Sequence, residues 1–182
     1  EERVLRAAQT IFLNRTCFNG LYRVNSKGDY NVPHGRYKNP PIRDAENLLS
    51  VSHALQGVNV SCGSYEISEP HVNEDTFVYL DPPYRPLPNT SSFTDYAKTA
   101  SFGDSDQEEL ANFFTSMSER GAMLMLSNSD PHVTDEEDDF FDDLYSDFTI
   151  RRVEATRAIN SDGGGRGAIT EILVTNYGSE SS

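Results

Sequence analysis

A strand-forming run, Thr76-Phe77-Val78-Tyr79-Leu80, leads without interruption into Asp81-Pro82-Pro83-Tyr84. Proline has no N–H to give a β-ladder and fixes φ near about −65°, so the strand has to end at Leu80 and the chain has to turn. A buried strand ending in such a turn places these four residues at the carboxyl edge of an open α/β sheet, where such sheets bind their ligands.

The rest of the chain supplies the helices and strands of that class. Residues 1–14 have near-helical apolar spacing (Val4, Leu5, Ala8, Ile11, Phe12) and read as the end of a helix. Residues 15–41 hold three glycines, three prolines and no helical period, which predicts short strands and turns, with a hairpin across Asn25-Ser26-Lys27-Gly28. Asp44 is placed to cap a helix that stops at Gly57. Val58–Cys62 then reads as a short strand, and Gly63-Ser64-Tyr65 as a turn. Residues 85–103 are rich in Ser, Thr and Pro and read as a mobile loop. Asp104 opens a helix to about Glu119, with Leu110, Phe113, Phe114 and Met117 on one face. Ala122–Leu126 is the next predicted strand, opening onto Ser127-Asn128-Ser129-Asp130. A very acidic helix is predicted over 134–145. Phe148–Ile159 and Ile169–Tyr177 read as an antiparallel pair joined through Gly163-Gly164-Gly165-Arg166-Gly167, a hairpin turn rather than a nucleotide loop because both flanks are strand. This alternation makes the fold class α/β.

The side chains of the Asp-Pro-Pro-Tyr turn suit one kind of chemistry. The lone pair of an adenine or cytosine amino group is delocalised into its ring and is a poor nucleophile. A carboxylate that accepts from one N–H, with a backbone carbonyl that accepts from the other, draws the nitrogen toward tetrahedral geometry as a methyl group arrives. The prolines add no competing donor, and the Tyr84 ring offers a face on which a base turned out of its stack can rest. On the motif alone, a plain proline-rich strand ending remains open.

Charge bears on the partner. The 182 residues carry a net charge of −14, which by itself disfavours nucleic acid. The charge is segregated, however. Residues 15–43 hold six bases and one acid, whereas residues 104–147 hold fourteen acids and one base. A basic segment can meet DNA while the acidic part stays in water. The two cysteines, Cys17 and Cys62, suggest neither a disulfide framework nor a metal cluster, and no apolar run is long enough to cross a membrane; a soluble intracellular protein with free thiols and no metal is expected.

Phe18-Asn19-Gly20-Leu21-Tyr22-Arg23-Val24-Asn25, with Gly28 and then Asn31-Val32-Pro33-His34-Gly35-Arg36-Tyr37-Lys38, resembles the DNA-recognition segment of the Dam-like DNA adenine-N6 methyltransferases, which read GATC. The order of motifs agrees: Asp-Pro-Pro-Tyr lies downstream, the strand after the next helix ends in Ser127-Asn128, and a closing hairpin runs from Arg157-Ala158-Ile159 to Glu171-Ile172-Leu173. The resemblance implies a partial Rossmann-like, S-adenosylmethionine-dependent methyltransferase fold with a small DNA-recognition lobe. It divides the chain into 1–14 (end of an N-terminal catalytic portion), 15–57 (target recognition) and 58–182 (remaining catalytic part). Its partner is double-stranded DNA and its setting the cytoplasm of a prokaryote or phage-infected cell.

Residue by residue, the resemblance implies that Arg23 reads guanine through O6 and N7, a contact worth roughly 1–3 kcal/mol of discrimination. Phe18 wedges beside the displaced adenine, Asn19 belongs to the same DNA-contacting segment, and Leu21 and Pro33 touch thymine methyls. Arg36 and Lys38 hold phosphates. Asp81 and the Pro82 carbonyl act on N6, followed in the same catalytic loop by Pro83, and Tyr84 stacks on the target base. Ser64 and Tyr65, with Asp81, contact the cofactor. One family feature is missing from these 182 residues, a Phe-x-Gly-x-Gly loop for the methionine part of the cofactor. The expectation is therefore a fragment lacking roughly 80–100 residues, about half a domain, and binding cofactor weakly or not at all alone; it works as a monomer or with that missing portion. Two other readings stand beside it: a DNA-binding remnant without catalysis, and a protein-amide methyltransferase, in which the Arg23 segment would have no purpose.

Overall fold

The computed structural model describes residues 1–87, 102–156 and 168–178. They form two compact units, Glu1–Ser61 and Cys62–Ser182.

In the first unit, α1 spans Glu2–Thr16 and α2 spans Ala45–Ala54. The α2 N-terminus is fixed as its sequence suggests, with the Asp44 carboxylate accepting from the Asn47 N–H at 3.0 Å. Between the helices the chain makes turns and two isolated bridges, Cys17 with His34 and Val24 with Tyr30. The hairpin expected across residues 25–28 is present, closed by Gly28 N–H to the Asn25 carbonyl at 2.9 Å. Around the first bridge, Phe18 donates to the Pro33 carbonyl and Gly35 to that of Thr16, each at 2.8 Å. Only glycine fits at position 35, because a Cβ there would lie 2.5 Å from the Cys17 carbonyl oxygen.

The second unit holds a four-stranded mixed sheet in the order β1-β2-β4-β3. The strands are β1 Phe77–Leu80, β2 Met123–Ser129, β3 Thr149–Thr156 and β4 Ala168–Thr175. The β1–β2 pair is parallel, and the crossover between them contains α3, Asp104–Glu119; the β2–β4 and β3–β4 pairs are antiparallel. Helix α3 buries Leu110, Phe113, Phe114 and Met117, as its spacing predicts, against Leu124 and Leu126 of β2 and Ile172 and Val174 of β4. The short helix α4, Phe140–Leu144, completes this core with Phe141, and Tyr145 follows it. At its start, α3 is capped by its own Asp106 carboxylate, which accepts from the Gly103 N–H at 2.7 Å.

Several expectations are corrected. Residues 58–62 form no strand; Val60 is 81% exposed, and apolar alternation without a neighbouring strand to pair with does not make one. Tyr65, the last residue of the expected Gly63-Ser64-Tyr65 turn, opens a 3-10 helix, Tyr65–His71. The strand β1 is not buried throughout, since Phe77 and Tyr79 are more than half exposed while Leu80 is buried. Strand β2 continues through Ser127, Asn128 and Ser129, which pair with β4, so these residues are ladder members rather than the loop beyond it. The acidic helix shrinks to five residues because carboxylates compete for its backbone: Asp135 accepts from the Glu137 N–H at 3.1 Å and Asp138 from that of Phe140 at 3.3 Å. Most of the expected 85–103 loop, the 163–167 glycine turn and Arg157-Ala158-Ile159 lie outside the described residues. No helix of the described residues is long and apolar enough to cross a membrane.

Tyr145 is fully buried, and its hydroxyl finds no partner among the described residues. Burial also pushes its pKa up. An unpaired buried hydroxyl destabilises, so Tyr145→Phe should raise the unfolding free energy by about 1 kcal/mol in chemical denaturation. The pH dependence has a definite sign. In the unfolded chain the phenol ionises near about pH 10, whereas the folded group holds its proton to higher pH. Its contribution to wild-type stability is therefore complete below that pH and declines above it, and Tyr145→Phe should lose less stability than wild type on raising the pH past about 10. Equal alkaline losses would show that the phenol is ionised equally in both states.

Candidate active site

The parallel register pairs Leu80 with Leu126, so the next residues, Asp81 just past β1 and Ser127 near the end of β2, meet. Ser127 Oγ donates to Asp81 Oδ1 at 3.2 Å and lies 2.9 Å from the Tyr79 hydroxyl. These two contacts orient the carboxylate from one side. Its second oxygen and the Pro82 carbonyl accept no hydrogen bond from the described residues. Asp81 is exposed and Pro82 half-buried, so two adjacent acceptors without a partner among the described residues stand at the end of an anchored strand.

The residues after them are held from beneath. Gln107 Nε2 donates to the Pro83 carbonyl at 3.0 Å, Asn128 Nδ2 donates to Gln107 Oε1 at 3.1 Å, and the Arg85 N–H donates to Asn128 Oδ1 at 3.0 Å. Both amide side chains are fully buried. The Arg85 carbonyl accepts from Ser129 Oγ at 2.7 Å. The Arg85 guanidinium bonds Asp104 at 2.9 Å and Asp138 at 2.7 Å, and lies 4.3 Å from the centre of the Phe140 ring. Tyr84 projects from this braced segment and donates its hydroxyl to Glu171 Oε2 of β4 at 3.3 Å. Burial, with the Glu171 and Asp81 charges contributing, pushes its pKa up, so the phenol is a neutral donor.

Beside the loop lies a cavity of about 630 Å³ whose wall includes Ser64, Tyr65, Asp81, Pro82 and Pro83. The fold thus brings Ser64 and Tyr65, separated from the catalytic loop in sequence, to the same cavity as Asp81. Apolar surface comes from Leu80, Phe102 and Leu110, and carboxylates from Glu66, Asp106 and Glu109. The Tyr65 ring is held edge-on against Phe113 at 5.0 Å between centres. An aromatic and aliphatic wall with several carboxylates, and no base among the described residues, fits a flat heterocycle joined to a positively charged group, so these residues suit S-adenosylmethionine with its sulfonium.

In the first unit, the Arg23 guanidinium is fixed by Asn31, with Nε donating to Oδ1 at 2.8 Å and Nη2 to the backbone carbonyl at 3.0 Å. Phe18 is 48% exposed, which disfavours core packing as its purpose, and Leu21 is half-buried. Pro33 is exposed, with its carbonyl engaged by the Phe18 N–H. Asn19 has φ +53° and donates its N–H to the Tyr37 hydroxyl at 3.1 Å. Arg36 also has positive φ, at +56°, and its N–H donates to His34 Nδ1. Lys38 borders a second cavity, of about 470 Å³, together with Arg15, Asn14 and Asn39.

Sequence reasoning missed Glu171, Gln107 and the use made of Asn128. Asn128 was visible as half of Ser127-Asn128, but nothing local shows that its amide reaches Gln107. His132, Asp139 and Asp142 also place ligand-type atoms within 4.8 Å of one another, but Asp142 is engaged by Arg152 at 2.6 Å and His132 by Asp139 at 3.0 Å.

Residues 1–159 match the family model of D12 class N6 adenine-specific DNA methyltransferases. The chain is 52% identical over 177 residues to the type II methyltransferase M.MjaIII of Methanocaldococcus jannaschii, covering 97% of this chain and 59% of that protein. It is 44% identical to the type II methyltransferase M1.LlaDCHI of Lactococcus lactis subsp. cremoris, covering 96% and 60%. With the DNA adenine methylase of Escherichia coli (strain K12) it shares 37% identity over 168 residues, covering 92% and 57%. The chain thus spans under two thirds of the length of each of these relatives.

Proposed function

This chain belongs to the D12 class of N6 adenine-specific DNA methyltransferases, and from that premise we propose that it carries the catalytic and target-reading parts of an enzyme that methylates N6 of adenine in double-stranded DNA, with GATC as target. The observation that carries this reading is the pair of adjacent acceptors, Asp81 Oδ2 and the Pro82 carbonyl, which accept no hydrogen bond from the described residues and belong to residues lining an acidic cavity.

When bound, S-adenosylmethionine supplies an electrophilic methyl group; Ser64, Tyr65 and Asp81 would hold it, with Glu66, Asp106 and Glu109 favouring its positive charge. The protein's task is to make the amino nitrogen nucleophilic. Asp81 accepts from one N–H and the Pro82 carbonyl from the other, which withdraws the lone pair from conjugation with the ring. After transfer the nitrogen carries a surplus proton, and Asp81, still exposed, takes it and passes it to water. Tyr84 offers its ring to an adenine turned out of the duplex, with its hydroxyl anchored on Glu171. Asn31 holds Arg23 by Nε and one side of its fork, which leaves Nη1 and the rest of Nη2 to present to guanine O6 and N7. Phe18 wedges into the base stack, Leu21 and Pro33 meet thymine methyls, and Arg36 and Lys38 take phosphates.

The direct test uses the protein at its full encoded length, methyl-labelled S-adenosylmethionine and short duplexes. Label should enter adenine in a GATC duplex. Transfer to adenine in another sequence only would replace the target; absence of transfer to every adenine-containing duplex would overturn the reading. Arg23→Ala should cut the preference for GATC over duplexes altered at the guanine by roughly 5- to 150-fold, the equivalent of 1–3 kcal/mol, in competition assays. Uniform weakening on all sequences would assign Arg23 to phosphate instead.

A further inference from the structure

We propose that Gln107 of α3 and Asn128 of β2 are positioning residues for methyl transfer, because their side-chain amides close a hydrogen-bonded ring around Tyr84 that fixes the backbone of the catalytic loop. The proposal rests on the roles given above to Asp81 and Pro82.

The ring has three links between the two peptide groups that flank Tyr84: Pro83 carbonyl to Gln107, Gln107 to Asn128, and Asn128 to the Arg85 N–H, at 3.0, 3.1 and 3.0 Å. Its direction is forced. The Pro83 carbonyl can only accept, so Gln107 must present its NH2 group there and its oxygen to Asn128. Asn128 must then present its own NH2 to Gln107 and its oxygen to the N–H groups of Arg85 and Ser129, the latter at 2.9 Å. No other arrangement of the two amides satisfies all four hydrogen bonds. Two primary amides with no exposure are costly to bury beside a largely apolar core unless they are fully paired. Among the described residues, this pairing serves one loop and the Ser129 contacts adjoining it.

The loop needs such support. Prolines 82 and 83 have no N–H, so at these two positions the segment cannot be held by donating to a neighbouring strand. Its orientation depends on carbonyls, on the Arg85 N–H and on side chains. The Pro83 carbonyl is bound by Gln107, whereas the carbonyl one residue earlier, that of Pro82, accepts no hydrogen bond from the described residues. The acceptors that act on the amino nitrogen stay in place because the ring anchors the chain on their C-terminal side.

The test measures single-turnover methyl transfer on a GATC duplex with the full-length protein, counting only sites that bind labelled S-adenosylmethionine so that unfolded protein does not contribute. Gln107→Met keeps length and helix propensity but loses both hydrogen bonds. It should slow transfer about 10- to 100-fold, the scale of an ångström-level displacement of reacting groups, while Kd for DNA and cofactor stays within about twofold. Gln107→Asn keeps the amide yet falls short of Pro83, and should show the same loss if the methionine variant does not fold. Combining Gln107→Met with Asn128→Leu should be no slower than the worse single variant, since a ring broken once is already open. Losses that multiply, losses confined to Kd, or a wild-type rate in both Gln107 variants would overturn the proposal. A fully active Asp81→Ala enzyme would instead overturn the chemistry on which it rests; an inactive one beside a normal Gln107→Met would overturn the ring alone.

Discussion

Asp81→Ala should lower the rate of methyl transfer by roughly 10²–10⁴-fold, the range associated with losing a positioned proton acceptor. Binding of the DNA duplex should change little. Asp81 is exposed at the end of β1, its one contact among the described residues is the Ser127 hydroxyl at 3.2 Å, and its removal leaves no buried group unpaired. Single-turnover rates and equilibrium Kd values for a GATC duplex, measured on the same preparation, separate the two effects. Asp81→Asn is the informative companion. It retains shape and one oxygen but adds a competing NH2 donor and removes the charge, so it should sit near the alanine variant. If it retained most of the wild-type rate, hydrogen-bond acceptance alone would suffice, and the carboxylate would not be needed to take up the proton.

Phe114→Ala should cost about 3–5 kcal/mol of unfolding free energy, against a typical total of about 5–15. Phe114 has no exposure, and its ring meets Phe148 at 4.8 Å and Tyr145 at 5.5 Å in edge-to-face geometry. Truncation removes these contacts from the junction of α3 with the aromatic cluster around α4. Urea titration followed by circular dichroism gives the loss directly, and a loss below about 1 kcal/mol would mean that α3 is not seated by this residue. Phe114 lies seven positions after Gln107, two helical turns along one face. Loosening α3 therefore also loosens the amide under the catalytic loop, and the surviving folded molecules should transfer methyl groups more slowly than wild type.

The helix α3 and the β3–β4 pair were legible in the sequence because their information is local: apolar residues recur at helical spacing from Leu110 to Met117, and strand-forming residues flank a glycine-rich turn. The end of β1 at Leu80 was legible for the same reason, since the prolines that stop the strand lie next to it in sequence. Readings failed where a partner decided the outcome. Val58–Cys62 alternates like a strand but meets none, whereas Ser127–Ser129, polar and turn-like in isolation, gain strand geometry from Leu173, Ile172 and Glu171 opposite. The helix expected over 134–145 lost to side-chain carboxylates bonding the backbone within two residues. Tyr84 and Glu171 stand 87 positions apart, and Gln107 and Asn128 come from a helix and a strand. No local period marks such pairs.

The ring around Tyr84 also bears on how the active site can be moved or copied. Asp-Pro-Pro-Tyr is only four residues long, yet the direction in which its carbonyls point is set by an amide from a helix and another from a strand. Grafted alone onto the end of a strand in a foreign α/β scaffold, the four residues would bring their side chains without their geometry. The smallest transplantable unit is the loop with Arg85 together with a glutamine and an asparagine at matching places in the host, seven residues from three elements that have to arrive together.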